Sequence, residues 1–90
     1  MLRARSLVFG RVQGVGFRAF VKKSADTHSV FGAVQNLEDG SVEAVFEGEK
    51  KDVEAVLRLM SVGPRFSKVR EQSVQFEDWL GEYKDFSVLR

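Results

Sequence analysis

The sequence predicts an α+β fold in which an antiparallel sheet carries two helices on one face. Three observations support this fold class. Strand-like and helix-like segments alternate along the 90 residues. Asp39-Gly40 is a hairpin signal between two strand-like segments. Two further segments have the apolar spacing of amphipathic helices. A chain of this length supports one hydrophobic core, so we expect a single domain over residues 1–90.

The first third of the chain predicts a strand, a glycine-rich loop, a helix and a second strand. Residues 4–9 have the β-branched and aromatic composition of a strand, whereas residues 10–16 hold three glycines and suit a loop. A helix follows from residue 17 to about residue 28, and residues 30–35 suit the second strand. The predicted apolar side of this helix consists of Phe17, Phe20, Val21, Ser24, Ala25 and His28.

The remaining residues predict two more strands, a helix and an optional last strand. Residues 41–47 alternate between apolar and polar side chains, and residues 49–61 form a helix that ends at Gly63-Pro64. Residues 66–76 hold a weaker fourth strand, and residues 86–89 a short final one. The order β-α-β-β-α-β is that of the ferredoxin-like fold, with both helices on one face of the sheet. That fold hosts many functions and predicts none by itself.

Composition excludes several classes of chemistry. The chain has no cysteine and one histidine, which excludes a disulfide, a cysteine nucleophile and a thiolate or multi-histidine metal site. We expect no metal and no cofactor. A net charge of +1 does not favour nucleic acid as a partner. No apolar run approaches the ~20 residues of a membrane span, and the N-terminus lacks the apolar core of a signal peptide. We therefore expect a cytoplasmic protein that does not bind membranes.

The positive charge is concentrated at the N-terminus. The first acidic residue is Asp26, and the six cations that precede it are Arg3, Arg5, Arg11, Arg18, Lys22 and Lys23. One interpretation is a solvated basic edge strand. The other is a local field that attracts an anion to the region around residues 11–18.

The glycine-rich loop admits three interpretations. The segment from Gly14 to Ala19 matches the dinucleotide-binding pattern G-x-G-x-x-G/A, but that pattern needs a parallel sheet where this chain enters a hairpin. An RNA-binding ferredoxin-like domain would place its glycines and aromatics on a central strand rather than before a helix, and we rank it last. The third interpretation is a phosphate-binding loop, because N–H groups at a helix N-terminus converge on one point.

Arg18 favours the phosphate-binding interpretation. A cation in the first turn of a helix is disfavoured by the helix dipole unless an anion shares the site. The planar guanidinium can hold two phosphate oxygens at once. The alternative is a surface arginine that lies over the helix.

The segment from Gly10 to Arg18, Gly-Arg-Val-Gln-Gly-Val-Gly-Phe-Arg, resembles the signature of the acylphosphatases. These are small ferredoxin-like enzymes that hydrolyse carboxyl–phosphate anhydrides. Gly-Ala-Val-Gln-Asn, ending at Asn36, and Asp-Gly-Ser-Val-Glu, ending at Glu43, are similar to further family elements, as is the last predicted strand.

The resemblance implies a site and a reaction. Arg18 would bind the phosphate and Asn36 would orient the attacking water. The backbone amides that would cradle the phosphate are those of Gln13, Gly14, Val15, Gly16 and Phe17. The expected reaction is metal-free, in-line hydrolysis of a small acyl phosphate by a monomer, and phosphate or sulfate would also occupy the site. The alternative is a non-catalytic phosphate- or acyl-phosphate-binding module of the same fold that serves a larger carbamoyl-transferring partner.

Three residues depart from the common family pattern. Ala33 stands where many members have a bulky aromatic residue, and we hypothesise that it widens the acyl side of the site. His28-Ser29 replaces a Leu-Gly pair that usually closes the first helix. We interpret His28 as a packing or helix-capping residue, and a serine at a left-handed helix end costs roughly 1 kcal/mol relative to glycine.

Overall fold

The chain folds into two helices and five strands in the predicted order, as a computed structural model of residues 1–90 describes. The elements are β1 (Leu2–Arg11), α1 (Phe17–Thr27), β2 (Phe31–Asn36), β3 (Val42–Gly48), α2 (Lys50–Val62), β4 (Lys68–Glu77) and β5 (Phe86–Val88). The optional last strand is therefore present. Neither helix is long and apolar enough to cross a membrane.

The strands form one sheet in the order β4-β1-β3-β2-β5. The antiparallel pairs β1–β3, β1–β4 and β2–β3 make up the predicted antiparallel sheet. The short β5 adds to β2 in parallel and makes the complete sheet mixed. This arrangement is the ferredoxin-like α+β fold that the sequence predicts.

The basic first strand is central, so its interpretation as an edge strand is wrong. β1 pairs with β3 on one side and with β4 on the other. Charged side chains can still occupy it because Arg3 and Arg5 form ion pairs with carboxylates of neighbouring strands. Arg3 lies 2.8 Å from Glu47 and 2.9 Å from Glu77. Arg5 lies 3.0 Å from Glu77.

Both helices pack on one face of the sheet, where the alternation of β3 supplies much of the core. Val42, Ala44 and Phe46 are fully buried on that face, as their period of two predicts. Phe46 stacks on Phe86 with ring centroids 5.7 Å apart, which joins β5 to the core. The buried side chains of α2 are Val53, Val56, Leu57 and Met60, the same set that its sequence spacing predicts.

Helix α1 ends at the His28-Ser29 pair that departs from the family pattern. His28 caps the helix, and Ser29 has the left-handed conformation that usually falls to glycine. His28 is the C-cap residue, and its N–H donates to the carbonyl oxygens of Ser24 and Ala25, both at 3.2 Å. Ser29 follows with φ 57° and is the one residue other than glycine that has a positive φ. The half-buried His28 therefore caps the helix, as its interpretation predicts.

Candidate active site

Residues 12–16 form the loop that joins β1 to α1. The buried side chains of Val12 and Phe17 anchor its two ends in the core. Gly14 has φ 75° and Gly16 has φ 77°, a left-handed conformation that glycine adopts without strain. A Cβ atom on either glycine would meet nothing within 4 Å. The loop is thus shaped by two glycines and faces open space.

The N–H groups of this loop have no acceptor inside the protein. None of the backbone N–H groups of Gln13, Gly14, Val15 and Gly16 donates a hydrogen bond to another residue. Gly16 is the N-cap of α1, with no side-chain cap and no acidic residue in the first helical turn. The first N–H groups of a helix also lack intrahelical partners and carry the positive end of its dipole. Such a set of donors suits an anion.

Arg18 and Asn36 meet at this loop although they lie on different elements. Arg18 is the second residue of α1, and Asn36 is the last residue of β2. Both line a cavity of about 250 Å³, together with Gly14 and Gly16. Arg18 forms no ion pair with any acidic residue of the chain. Its guanidinium charge is therefore available to a bound anion.

Asn36 has a fixed backbone and an unpartnered side-chain oxygen. Its N–H donates to the carbonyl oxygen of Arg90 at 3.1 Å, and on its other side it pairs with Val42 of β3. Its Oδ1 atom is buried and has no hydrogen-bond partner. Leaving a buried acceptor unpaired costs about 1–3 kcal/mol, so this oxygen is placed to accept a hydrogen bond from a bound molecule.

Only some of the five predicted loop residues line the cavity. Gly14, Gly16 and Phe17 line the cavity that holds Arg18 and Asn36. Gln13 and Val15 do not line it with their side chains. Val15 packs against the core, and Gln13 turns toward the segment that follows Asn36. Only the main chain of these two residues can take the role that the family resemblance implies for them.

A second cavity of about 500 Å³ adjoins the first and shares Arg18 and Asn36 with it. Its other lining residues are Gln35, Leu37, Glu38 and Arg90. The sequence analysis missed Arg90 because only the parallel pairing of β5 with β2 brings it near the site. No local sequence pattern reports that pairing.

Ala33 lines neither of these two cavities, and the hypothesis that it widens the acyl side of the site stays a prediction. It lines a third cavity of about 100 Å³ with Tyr83 and Leu89, and Gln35 lines both this cavity and the one of about 500 Å³. Side chains alternate along a strand, so Ala33 points to the opposite face of the sheet from its neighbour Val34, which is in the core.

Nowhere does the fold bring together three histidine, aspartate or glutamate side chains in a group that could hold a metal ion. Fold and loop together define a ferredoxin-like domain with an open helix N-terminus suited to an anion.

Comparison with known proteins identifies the family. The Acylphosphatase family model matches residues 4–88. An acylphosphatase of Roseiflexus sp. (strain RS-1) is 44% identical over 89 residues, which are 99% of this chain and 96% of that relative. The crystal structure of acylphosphatase from Bacillus subtilis matches with a TM-score of 0.96 at 40% identity and 100% coverage of both chains. The crystal structure of full-length HypF in its phosphate- and nucleotide-bound form matches with a TM-score of 0.84 at 35% identity, over 100% of this chain and 12% of that one.

The chain belongs to the acylphosphatase family. It is an enzyme that hydrolyses the carboxyl–phosphate bond of acyl phosphates to a carboxylate and inorganic phosphate. The predicted family is confirmed, and nothing in these comparisons favours the non-catalytic alternative.

Proposed function

We propose that Arg18 and the backbone N–H groups of residues 13–17 bind the phosphoryl group, and that Asn36 orients the water that attacks it. One observation carries this proposal. Arg18 and Asn36 line a single cavity with Gly14 and Gly16, although they are 18 positions apart and lie on different elements. The loop supplies several donors without a protein acceptor, and Arg18 supplies an unpaired charge.

Phosphoryl transfer mainly requires that the phosphate be positioned and that charge on its three equatorial oxygens be stabilised. The N–H groups of the loop are held by the backbone, so they need no reorganisation when charge develops. The guanidinium of Arg18 can donate two parallel hydrogen bonds to the phosphate. These bonds would orient the phosphate, and the positive charge would balance part of its negative charge. These groups together supply what the phosphoryl group requires.

The attacking water needs an acceptor for one of its protons. The unpartnered Oδ1 of Asn36 can accept that hydrogen bond and does not titrate. The water oxygen forms a bond to phosphorus in line with the bond that breaks. The electron pair of the broken P–O bond stays on the carboxylate oxygen, and the proton of the water passes to solvent. A carboxylic acid has a pKa of about 4, so its carboxylate leaves without a general acid.

We further propose that residues 1–90 act as a single-domain, cytoplasmic monomer without a cofactor, and that phosphate or sulfate occupies the same site. All residues assigned to the site come from one chain, and the 16 core residues form one cluster. The full-length HypF structure, of which this chain matches 12%, is in a phosphate- and nucleotide-bound form. Light scattering should give the mass of one chain, and turnover should persist in a chelator.

The experiment that tests the role of Arg18 is its replacement by glutamine. We expect Arg18→Gln to lower turnover of acetyl phosphate by at least ~10²–10³-fold, because one charged donor to the transition state is lost. Arg18→Lys, the matched control, keeps the charge but not the two-pronged geometry, and should retain more activity. Initial rates over a range of substrate concentrations measure both effects.

Turnover of Arg18→Gln close to that of the unmodified enzyme would show that Arg18 does not stabilise the reacting phosphate. Thermal unfolding of each variant controls for stability. Arg18 makes no ion pair with the rest of the chain, so we expect little change in its melting temperature.

A further inference from the structure

The side chain of Gln13 makes the only hydrogen bonds that tie the phosphate-binding loop to a neighbouring element. Its Nε2 donates to the carbonyl oxygen of Leu37 at 2.8 Å and to that of Ser41 at 2.9 Å. The other hydrogen bond of residues 12–16 is local, from the N–H of Phe20 to the carbonyl of Gly16. The middle of the loop is therefore attached to Leu37 and Ser41 through the carboxamide of Gln13.

The two carbonyls that Gln13 contacts are those that close the turn between β2 and β3. The N–H of Leu37 donates to the carbonyl of Ser41 at 2.9 Å, and the N–H of Gly40 donates to the carbonyl of Leu37 at 3.1 Å. Asp39 completes the turn by accepting from the N–H of Ser41 at 2.9 Å. Each carbonyl therefore receives one main-chain donor and the Gln13 amide.

We infer that Gln13 is a positioning residue that sets the separation between the phosphate-binding loop and Asn36. Leu37, which Gln13 contacts, directly follows Asn36 in the chain. The loop holds the phosphate and Asn36 holds the water, so the bridge sets the distance and angle of attack. Its side chain does not line the cavity that holds Arg18 and Asn36 and is bonded to the turn instead.

This inference rests on the proposed role of Asn36. A shift of about 1 Å between reacting groups can cost as much as 10²-fold in rate. The loop is held at its ends by the buried Val12 and Phe17 and would keep its shape without the bridge. Loss of the bridge should therefore misalign water and phosphorus while phosphate binding persists.

The test replaces Gln13 by methionine, which has a similar length and no donor. Gln72→Met is the matched control, because Nε2 of Gln72 also makes two hydrogen bonds, to Oγ of Ser6 and to the carbonyl of Leu57, both at 3.1 Å. The measurements are kcat on acetyl phosphate, the inhibition constant of inorganic phosphate and the melting temperature. We expect Gln13→Met to lower kcat about 10–10²-fold and to leave the inhibition constant within about threefold. Gln72→Met should lower the melting temperature to a similar degree and leave kcat unchanged.

Three outcomes would overturn the inference. They are an unchanged kcat in Gln13→Met, an equal loss of kcat in Gln72→Met, or an inhibition constant that rises as much as kcat falls. If Gln13→Met does not fold, Gln13→Asn replaces it. The shorter carboxamide cannot reach both carbonyls and should give a smaller loss of kcat of the same kind, whereas an unchanged kcat would again overturn the inference.

A double-mutant cycle with Asn36→Ala separates the inference from the proposed function. If Gln13 acts through Asn36, Gln13→Met should have almost no further effect on kcat in the Asn36→Ala background. Independent, multiplicative losses would overturn the positioning role alone. If Asn36→Ala by itself leaves kcat intact, the proposed role of Asn36 fails, and the inference fails with it.

Discussion

At the scale of single residues, the site depends on groups that the fold leaves unsatisfied. The guanidinium of Arg18 has no carboxylate partner, and Oδ1 of Asn36 is buried without a donor. Elsewhere the chain pairs such groups closely, as with Arg3, whose Nη1 lies 2.7 Å from Glu82 and 2.8 Å from Glu47. Unsatisfied groups destabilise a folded chain, so their coincidence in one cavity indicates function.

The proposed role of Asn36 predicts that its loss lowers turnover more than it weakens phosphate binding. Asn36→Ala should lower kcat more than it weakens inhibition by inorganic phosphate, because the water loses its acceptor while the loop and Arg18 still bind the anion. Steady-state kinetics with phosphate as inhibitor measure both. Equal damage to kcat and to phosphate binding would mean that Asn36 binds phosphate or supports the fold.

At the scale of elements, the end of α1 carries a strained residue. Ser29 has φ 57°, and a side chain in this conformation costs energy that glycine does not incur. Its N–H still donates to the carbonyl of Asp26 at 3.3 Å, and Val30 directly after it is buried in the core. Main-chain hydrogen bonds to the last turn of α1 and the burial of Val30 therefore hold the strained conformation in place.

Relief of this strain should stabilise the protein. We expect Ser29→Gly to raise the free energy of unfolding by about 1 kcal/mol. For a chain of this size that corresponds to a rise of roughly 4–8 °C in melting temperature. Ser29→Ala is the matched control and should give no such gain, since alanine has the same restriction. Calorimetry that finds both variants alike would contradict the assignment of strain to this residue.

At the scale of the whole molecule, an ion-pair network joins the sheet on the face opposite the helices. Nε of Arg3 donates to Glu77 at 2.9 Å, and Nε of Arg5 donates to the same carboxylate at 3.0 Å. Arg3 also lies over the ring of Tyr83, 5.6 Å from its centroid, which ties the segment after β4 to the sheet. Together with the ion pair between Arg3 and Glu47, these contacts connect β1, β3 and β4 and the chain between β4 and β5.

This network predicts a loss of stability in acid. Hydrogen bonds from Arg3 and Arg5 hold the pKa of Glu77 below its ordinary value of 4.5. The unfolded chain therefore takes up the proton more readily than the folded chain. The stabilisation is fully present above pH 4.5 and is lost as the pH falls below it.

Glu77→Gln should lower stability at neutral pH and reduce its dependence on pH below about pH 5. Glu71→Gln, on the same strand and without an ion pair in the structure, is the control and should change the slope less. Urea unfolding at a series of pH values measures the slopes. An unchanged slope in Glu77→Gln would show that the pairing does not contribute.

Local sequence patterns determined most of the helices, strands and turns of this protein. The period of two along β3, the helical spacing in α2 and the Asp39-Gly40 turn predict their elements because neighbouring residues set backbone conformation. The glycines before Arg18 likewise predict an open loop at a helix start, and the family resemblance led to Asn36. Boundaries were less accurate: β1 begins at Leu2 and ends at Arg11, two residues beyond the predicted strand at each end.

Contacts between distant parts of the chain were decided only by the tertiary structure. Gln13 lies 24 and 28 positions from its two partners, and Arg3 lies 44 positions from Glu47. Arg90 reaches the site through the parallel pairing of β5, and Ala33 lies on the face of the sheet opposite the core residue Val34 because of its position in β2. Such contacts depend on strand order and register, which arise when the sheet assembles around its core and which no short sequence window specifies.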